Sequence, residues 1–175
     1  MLSLWRRAGE PPLSAPPAVG ALLSARGLEK RFALQHGWLG GPSRFLPAVR
    51  GVDFDVRPAE TLALVGESGS GKTTVGRIVA RLVRPDAGAI AFEGEDWLSL
   101  SGEALRRRRR DLQVVFQDPQ TSLNPRMRVG EQVAEPLRVQ GLARGAERAA
   151  TVRRLLADVG LSDEIADRFP SELSG

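Results

Sequence analysis

The chain has 175 residues, 42% of them hydrophobic, which is enough for one sizeable core. It has no cysteine, so disulfides and thiolate metal sites are excluded, and its single histidine, His36, has no second imidazole with which to share a metal ion. A net charge of +4 and a pI near 10.8 invite a nucleic-acid reading, but the basic residues, arginines apart from Lys30 and Lys72, are interleaved with 21 acids, so no nucleic acid is expected as a partner.

No apolar run approaches the roughly 20 residues of a membrane span, and Met1–Arg7 is not followed by the apolar stretch of a secretory signal. A cytoplasmic protein is expected. Residues 1–20, with Pro11, Pro12, Pro16 and Pro17 among Ala, Gly and Ser, read as a disordered leader. Order is expected from Ala21, with a strand through about Phe32. A loop or hairpin excursion follows over 33–47 and leaves His36 in solvent. Val52, Phe54 and Val56 alternate with Asp53 and Asp55 as a half-exposed strand. Arg57-Pro58-Ala59-Glu60 then turns the chain into Thr61–Val65, a short apolar run that predicts a buried strand.

The next eight residues, Gly66-Glu67-Ser68-Gly69-Ser70-Gly71-Lys72-Thr73, fit the phosphate-loop pattern G-x-x-x-x-G-K-[ST]. Val75, Ile78, Val79 and Leu82 then repeat at helical spacing, so the predicted order is strand, glycine-rich loop, helix, with Pro85 ending the helix. Glycines let successive N–H groups curl toward an anion, and the helix start adds unsatisfied N–H groups and a positive dipole end. Lys72 is expected on the β- and γ-phosphates and the Thr73 hydroxyl on Mg2+, with Thr74 beside it; Glu67 is read as facing solvent. Nucleotide-phosphate binding follows.

Asp86-Ala87-Gly88 turns into a strand over Ala89–Phe92, and Trp97 is expected to cover the small sheet from a loop. Ser101 predicts the N-cap of a helix to about Arg110, whose arginine run Arg106–Arg110 suits the dipole and faces water. Leu112–Phe116 reads as a second buried strand, with Gln117 directly after it and a turn-rich loop over Asp118–Pro125. Three helices follow in expectation. One runs from Val129 to Glu135 and stops near Pro136. The next carries Val152, Leu155, Leu156 and Val159 and ends at Gly160. The last opens at Ser162 and closes at Pro170.

Taken together, residues 21–175 resemble the nucleotide-binding subunit of ABC transporters. The implied fold class is α/β: a P-loop NTPase core with an antiparallel β-subdomain and a helical subdomain, incomplete at the C-terminus. The implied division is 21–116 for the β-subdomain and phosphate-loop core, and 117–175 for the Q-loop and helical part. Gly66–Thr73 resembles the Walker A loop, with Thr73-Thr74 where the family has Ser-Thr. Gln117 resembles the Q-loop glutamine that touches Mg2+ and the attacking water. Phe32, after Leu28-Glu29-Lys30-Arg31, stands where the family stacks an aromatic on adenine, Phe45 being the other candidate. Leu173-Ser174-Gly175 resembles the start of the LSGGQ signature, which implies that Ser174 and Gly175 act in trans on the nucleotide of a partner.

The segment from Phe116 to Met127, with Glu135-Pro136-Leu137, is similar to the oligopeptide/dipeptide importer ATPases, and importers of nickel or glutathione share much of it. The resemblance implies ATP and Mg2+ as cofactors. It also implies a homologous ATPase subunit as dimer partner, in a homo- or heterodimer, and integral membrane permease subunits engaged through the region after Gln117. The protein would then sit peripherally on the inner face of the plasma membrane. Ala59 replaces a usual glycine, and Ser171 a common histidine. The Walker B aspartate, the water-polarising glutamate, the D-loop and the switch histidine have no counterpart in the 175 residues. The expectation is therefore a weak ATP binder with no catalytic residue of its own, hydrolysis belonging to a longer parent, or else a truncated nucleotide-binding product. A P-loop kinase or GTPase would need a base-specificity motif or acceptor site, and none is visible.

Overall fold

A computed structural model describes residues 19–33, 45–117 and 122–173. Residues 1–18 of the expected 1–20 leader, His36, Asp118–Thr121 and Ser174 and Gly175 of the expected signature lie outside these described residues. The chain divides into two compact units, one ending at Gly102 and the other beginning at Glu103.

The first unit is built on a four-stranded antiparallel sheet in the order β2-β1-β3-β4, from β1 (Leu23–Ala33), β2 (Phe45–Val56), β3 (Ala87–Phe92) and β4 (Glu95–Asp96). β1 is central and carries a bulge at Arg26-Gly27, where Gly27 takes a φ of +57°. The extra residue explains the spacing of its core positions. Leu23 and Ala25 are two apart, but the next buried residue is Leu28, three on, because the bulge restores the inward face. Gly88 of β3 lies against this bulge with a φ of +100°, and a Cβ there would meet the Arg26 and Gly27 carbonyl oxygens at 2.6 Å. Only glycine fits so close an approach.

Register between β1 and β2 is pinned by polar contacts as well as by the ladder. Arg26 donates from one guanidinium nitrogen to both carboxylate oxygens of Asp55, at 2.7 and 2.8 Å, while Ser24 donates to the same carboxylate at 2.6 Å. Helix α1 (Lys72–Val79) packs against β2 and buries Val75 and Ile78; Leu28, Val49, Ile90, Phe92 and Trp97 of this unit are buried as well. Trp97 is fully buried, as the reading of it as a cover for the sheet requires. Its ring meets Phe92 edge-on at 5.3 Å, and its indole N–H donates to the Val79 carbonyl at 2.8 Å, closing the end of α1.

The second unit contains α2 (Gly102–Arg108, beginning at the boundary), a 3-10 turn at Arg109–Asp111, α3 (Val129–Val139), α4 (Gly145–Asp158), and 3-10 turns at Asp163–Asp167 and Pro170–Glu172. Val129, Val152 and Leu156 form its buried centre, with Val133, Ala134, Leu137, Ile165, Ala166 and Leu173 packed around them.

Several expectations need correction. Thr61–Val65 and Leu112–Phe116 are not buried strands: neither pairs with any strand among the described residues, and both are largely exposed, Val65 and Val115 to 92%. Composition made them strand-like, but a strand exists only in a pair, and among the described residues all the pairing is among β1 to β4. Helix α1 stops at Val79, well before Pro85, because Arg81 adopts a φ of +57° and its guanidinium donates to the Trp97 and Leu100 carbonyls, the latter at 3.0 Å. Leu82, read as part of the apolar stripe, is exposed. Helix α3 runs through Pro136 to Val139, since the missing amide costs one hydrogen bond and not the packing of Val129, Val133 and Leu137. The third helix expected from Ser162 to Pro170 is instead the pair of 3-10 turns.

Candidate functional site

The phosphate-loop segment follows Thr61–Val65 in the first unit, and residues 61–70 are exposed throughout. A turn closes it, with the Ser70 N–H on the Glu67 carbonyl at 3.2 Å. Gly69 and Gly71 both take left-handed backbone, at φ +81° and +96°, and they swing the chain into α1. At Gly71 the requirement is absolute, because a Cβ would stand 2.1 Å from the Ala48 carbonyl oxygen on β2. Glycine at 71 lets the helix start be pressed against the strand.

Gly71 is the N-cap of α1 and supplies no side-chain cap, so the first-turn N–H groups of the helix have no side chain bonded to them from the cap position. The N–H groups of this turn sit at the positive end of the helix, the arrangement that receives phosphate. The Lys72 ammonium curls back over the loop and donates to the Gly66 and Glu67 carbonyls, each at 2.7 Å, and to the Ser70 hydroxyl at 3.3 Å. Among the described residues these partners are neutral oxygens at an exposed loop, which phosphate oxygens can replace. Ser68 and Glu67 are exposed.

A cavity of about 250 Å³ opens at this helix start, lined by Phe32, Leu46, Ala48, Gly69, Gly71, Lys72, Thr73 and Thr74. It gathers six of the residues singled out in the sequence and adds two that were not, Leu46 and Ala48. Phe32 reaches it from the end of β1, 40 residues before Lys72 in sequence, because Phe32 pairs with Leu46 on β2 and α1 packs on β2. Of the two aromatics considered, Phe32 lines the cavity; Phe45, beside Leu46, is exposed and is not among its lining residues. Leu46 and Ala48 lie in or just after what reads as a loop in sequence, and only the β1–β2 pairing reveals them.

The cavity's donor set fits the groups expected there. Two hydroxyls (Thr73, Thr74), an ammonium (Lys72), glycine backbone and an aromatic ring (Phe32) suit a polyphosphate with a hard cation and a base. Among the described residues no cluster of three or more His, Cys, Asp or Glu side chains could hold a metal ion.

Gln117 belongs to the second unit, at an exposed bend after Phe116. The segment after it is braced by Gln132 of α3, whose side chain accepts from the Asn124 N–H at 2.8 Å and donates to the Asn124 and Met127 carbonyls at 3.0 and 2.9 Å. Leu173 packs on the core of this unit, and Ser174 and Gly175 fall outside the described residues.

Comparison with known proteins finds similar sequences and similar structures. A family described as ABC transporter matches residues 49–175. The glutathione import ATP-binding protein GsiA of Escherichia coli strain CFT073 is 48% identical over 168 residues, covering 95% of this chain and 27% of that protein. GsiA of Shigella flexneri gives the same figures. This chain thus spans about a quarter of the length of these curated relatives. Among solved structures, the ATP-binding cassette MJ0796, dimeric in a post-hydrolysis state with ADP and Pi, is similar with a TM-score of 0.68 and 27% identity, over 87% of this chain and 63% of that one. A second dimeric structure of MJ0796, described as a bacterial ABC transporter cassette, gives a TM-score of 0.65 at 26% identity.

Proposed function

The chain belongs to the ABC transporter family, and from that premise we propose that it is the ATP-binding part of an importer's motor subunit, taking up a short peptide-like solute. What carries the proposal is the cavity at the start of α1, where Phe32, Lys72, Thr73, Thr74 and two loop glycines converge. ATP sits with its phosphates on the Gly66–Thr74 loop and the Lys72 ammonium, and its base against Phe32. The Thr73 hydroxyl would hold Mg2+ beside the phosphates; for Gln117 a part in this is implied by the family resemblance alone. When bound, the ion neutralises the charge of the β- and γ-phosphates.

The protein acts with a homologous ATPase subunit, as homo- or heterodimer, and with membrane permease subunits engaged through the region after Gln117. Ser174 and Gly175 serve the partner's nucleotide. No described helix is long and apolar enough to cross a membrane; attachment through the permease subunits is part of the proposal. The names of the relatives favour glutathione, itself a tripeptide, as solute. A dipeptide or oligopeptide is the second reading, carried by the similarity of Phe116–Met127 to peptide importers.

Uptake in the protein's own cell tests this reading. Disruption of the gene should abolish accumulation of labelled glutathione or of a labelled dipeptide, and the wild-type gene but not Lys72→Ala should restore it. Undiminished uptake of both solutes would contradict the proposal.

A further inference from the structure

In a chain whose basic residues are otherwise arginine, the two lysines both lie near the cavity: Lys72 lines it, and Lys30 stands beside Phe32. The Lys30 ammonium lies 5.7 Å from the centre of the Phe32 ring, within the range of a cation–π contact. It is also tied to Asp86, donating to one carboxylate oxygen at 2.7 Å. The other oxygen of Asp86 accepts the Arg31 N–H at 2.7 Å, and the Asp86 N–H donates to the Glu29 carbonyl at 2.8 Å. Three successive residues leading to Phe32 are therefore held by one aspartate.

The need for such a hold is visible in the strand. Pairing of β1 with β3 ends at Glu29 and Ala87, and the β1–β2 register shifts between Lys30 and Arg31. Beyond that point β1 has lost one neighbour, and its pairing with the other resumes one step out of register, Arg31 with Pro47 and Phe32 with Leu46. The Asp86 carboxylate takes the Arg31 N–H that a longer β3 would have taken. The compact ammonium can bond Asp86 and still touch the ring, whereas a planar guanidinium would tend to lie flat on the ring and cover it.

We propose that Lys30 and Asp86 are a positioning pair for the nucleobase: they fix the Phe32 ring at the rim of the cavity, with Lys30 engaging the ring, so that an aromatic base can stack on it. This rests on the reading of Phe32 as the base platform. Asp86 follows α1 in the chain, so the pair also ties the platform to the segment that leaves the phosphate-binding helix.

The discriminating measurement compares two ligands on the intact protein, Mg-ATP and Mg-tripolyphosphate, which has the phosphates without the base. Dissociation constants are measured for wild type, Asp86→Asn, Lys30→Met and Phe32→Ala, with thermal melting to confirm folding. Asp86→Asn and Lys30→Met should each weaken ATP roughly three- to tenfold and leave tripolyphosphate unchanged. Phe32→Ala should do the same more strongly. Equal losses for both ligands, or no loss for ATP in either Asp86→Asn or Lys30→Met while Phe32→Ala still weakens it, would overturn the positioning pair and leave the platform standing. An ATP to tripolyphosphate ratio unchanged in Phe32→Ala would overturn the platform itself, and the pair with it.

Discussion

Single residues carry the sharpest constraints in this molecule. Gly71 has a φ of +96° and no room for a Cβ beside the Ala48 carbonyl. Gly71→Ala should therefore cost about 2 kcal/mol or more in denaturant unfolding and should also displace the start of α1, lowering nucleotide affinity. Ala59 makes the opposite case. It holds a φ of +59° where the resemblance led to an expected glycine, so Ala59→Gly should raise stability by up to about 1 kcal/mol, read as a higher melting temperature. Asp86 has its carboxyl held below the ordinary value of 3.8 by the hydrogen bond from Lys30 and then by that from the Arg31 N–H. A carboxylate whose folded pKa is depressed adds stability above its unfolded value and loses it as pH falls through the folded one. Asp86→Asn should thus be less stable than wild type at neutral pH, with the gap closing in acid below 3.8; urea midpoints that differ equally at all pH values would contradict this.

At the scale of elements, pattern and partner explain which expectations held. The phosphate-loop residues and the helix after them were legible because they are local: glycine spacing sets the turn, and Val75 and Ile78 set the buried face. The alternation of Val52, Phe54 and Val56 likewise marked part of β2. Thr61–Val65 and Leu112–Phe116 were misread because strand formation depends on a neighbour that no local pattern names. The Lys30–Asp86 tie and the cavity lining at Leu46 and Ala48 were invisible for the same reason, joining residues far apart in sequence. The end of α1 was set not by Pro85 but by Trp97 and Arg81, whose side chains meet backbone carbonyls from a distance. Trp97→Ala should cost about 3–5 kcal/mol through the cavity it leaves. Trp97→Phe should cost about 1–2 kcal/mol, because the Val79 carbonyl loses its donor while most of the ring packing stays. Equilibrium unfolding of both variants separates the two contributions.

On the scale of the whole molecule, the chain has two compact units, the first holding the phosphate loop and its aromatic neighbour, the second the segment after Gln117 and its helices. It covers 63% of the solved cassettes it resembles and 27% of its curated relatives. The proposed nucleotide site lies in the first unit. Calorimetric titration of Mg-ATP into the intact protein and into Lys72→Ala tests it most directly. The ammonium's charge-assisted bonds to phosphate predict saturable binding to wild type and an affinity weaker by about ten- to a hundredfold in Lys72→Ala. Equal affinities for the two proteins, or no binding to wild type, would contradict the assignment of this loop as the nucleotide site.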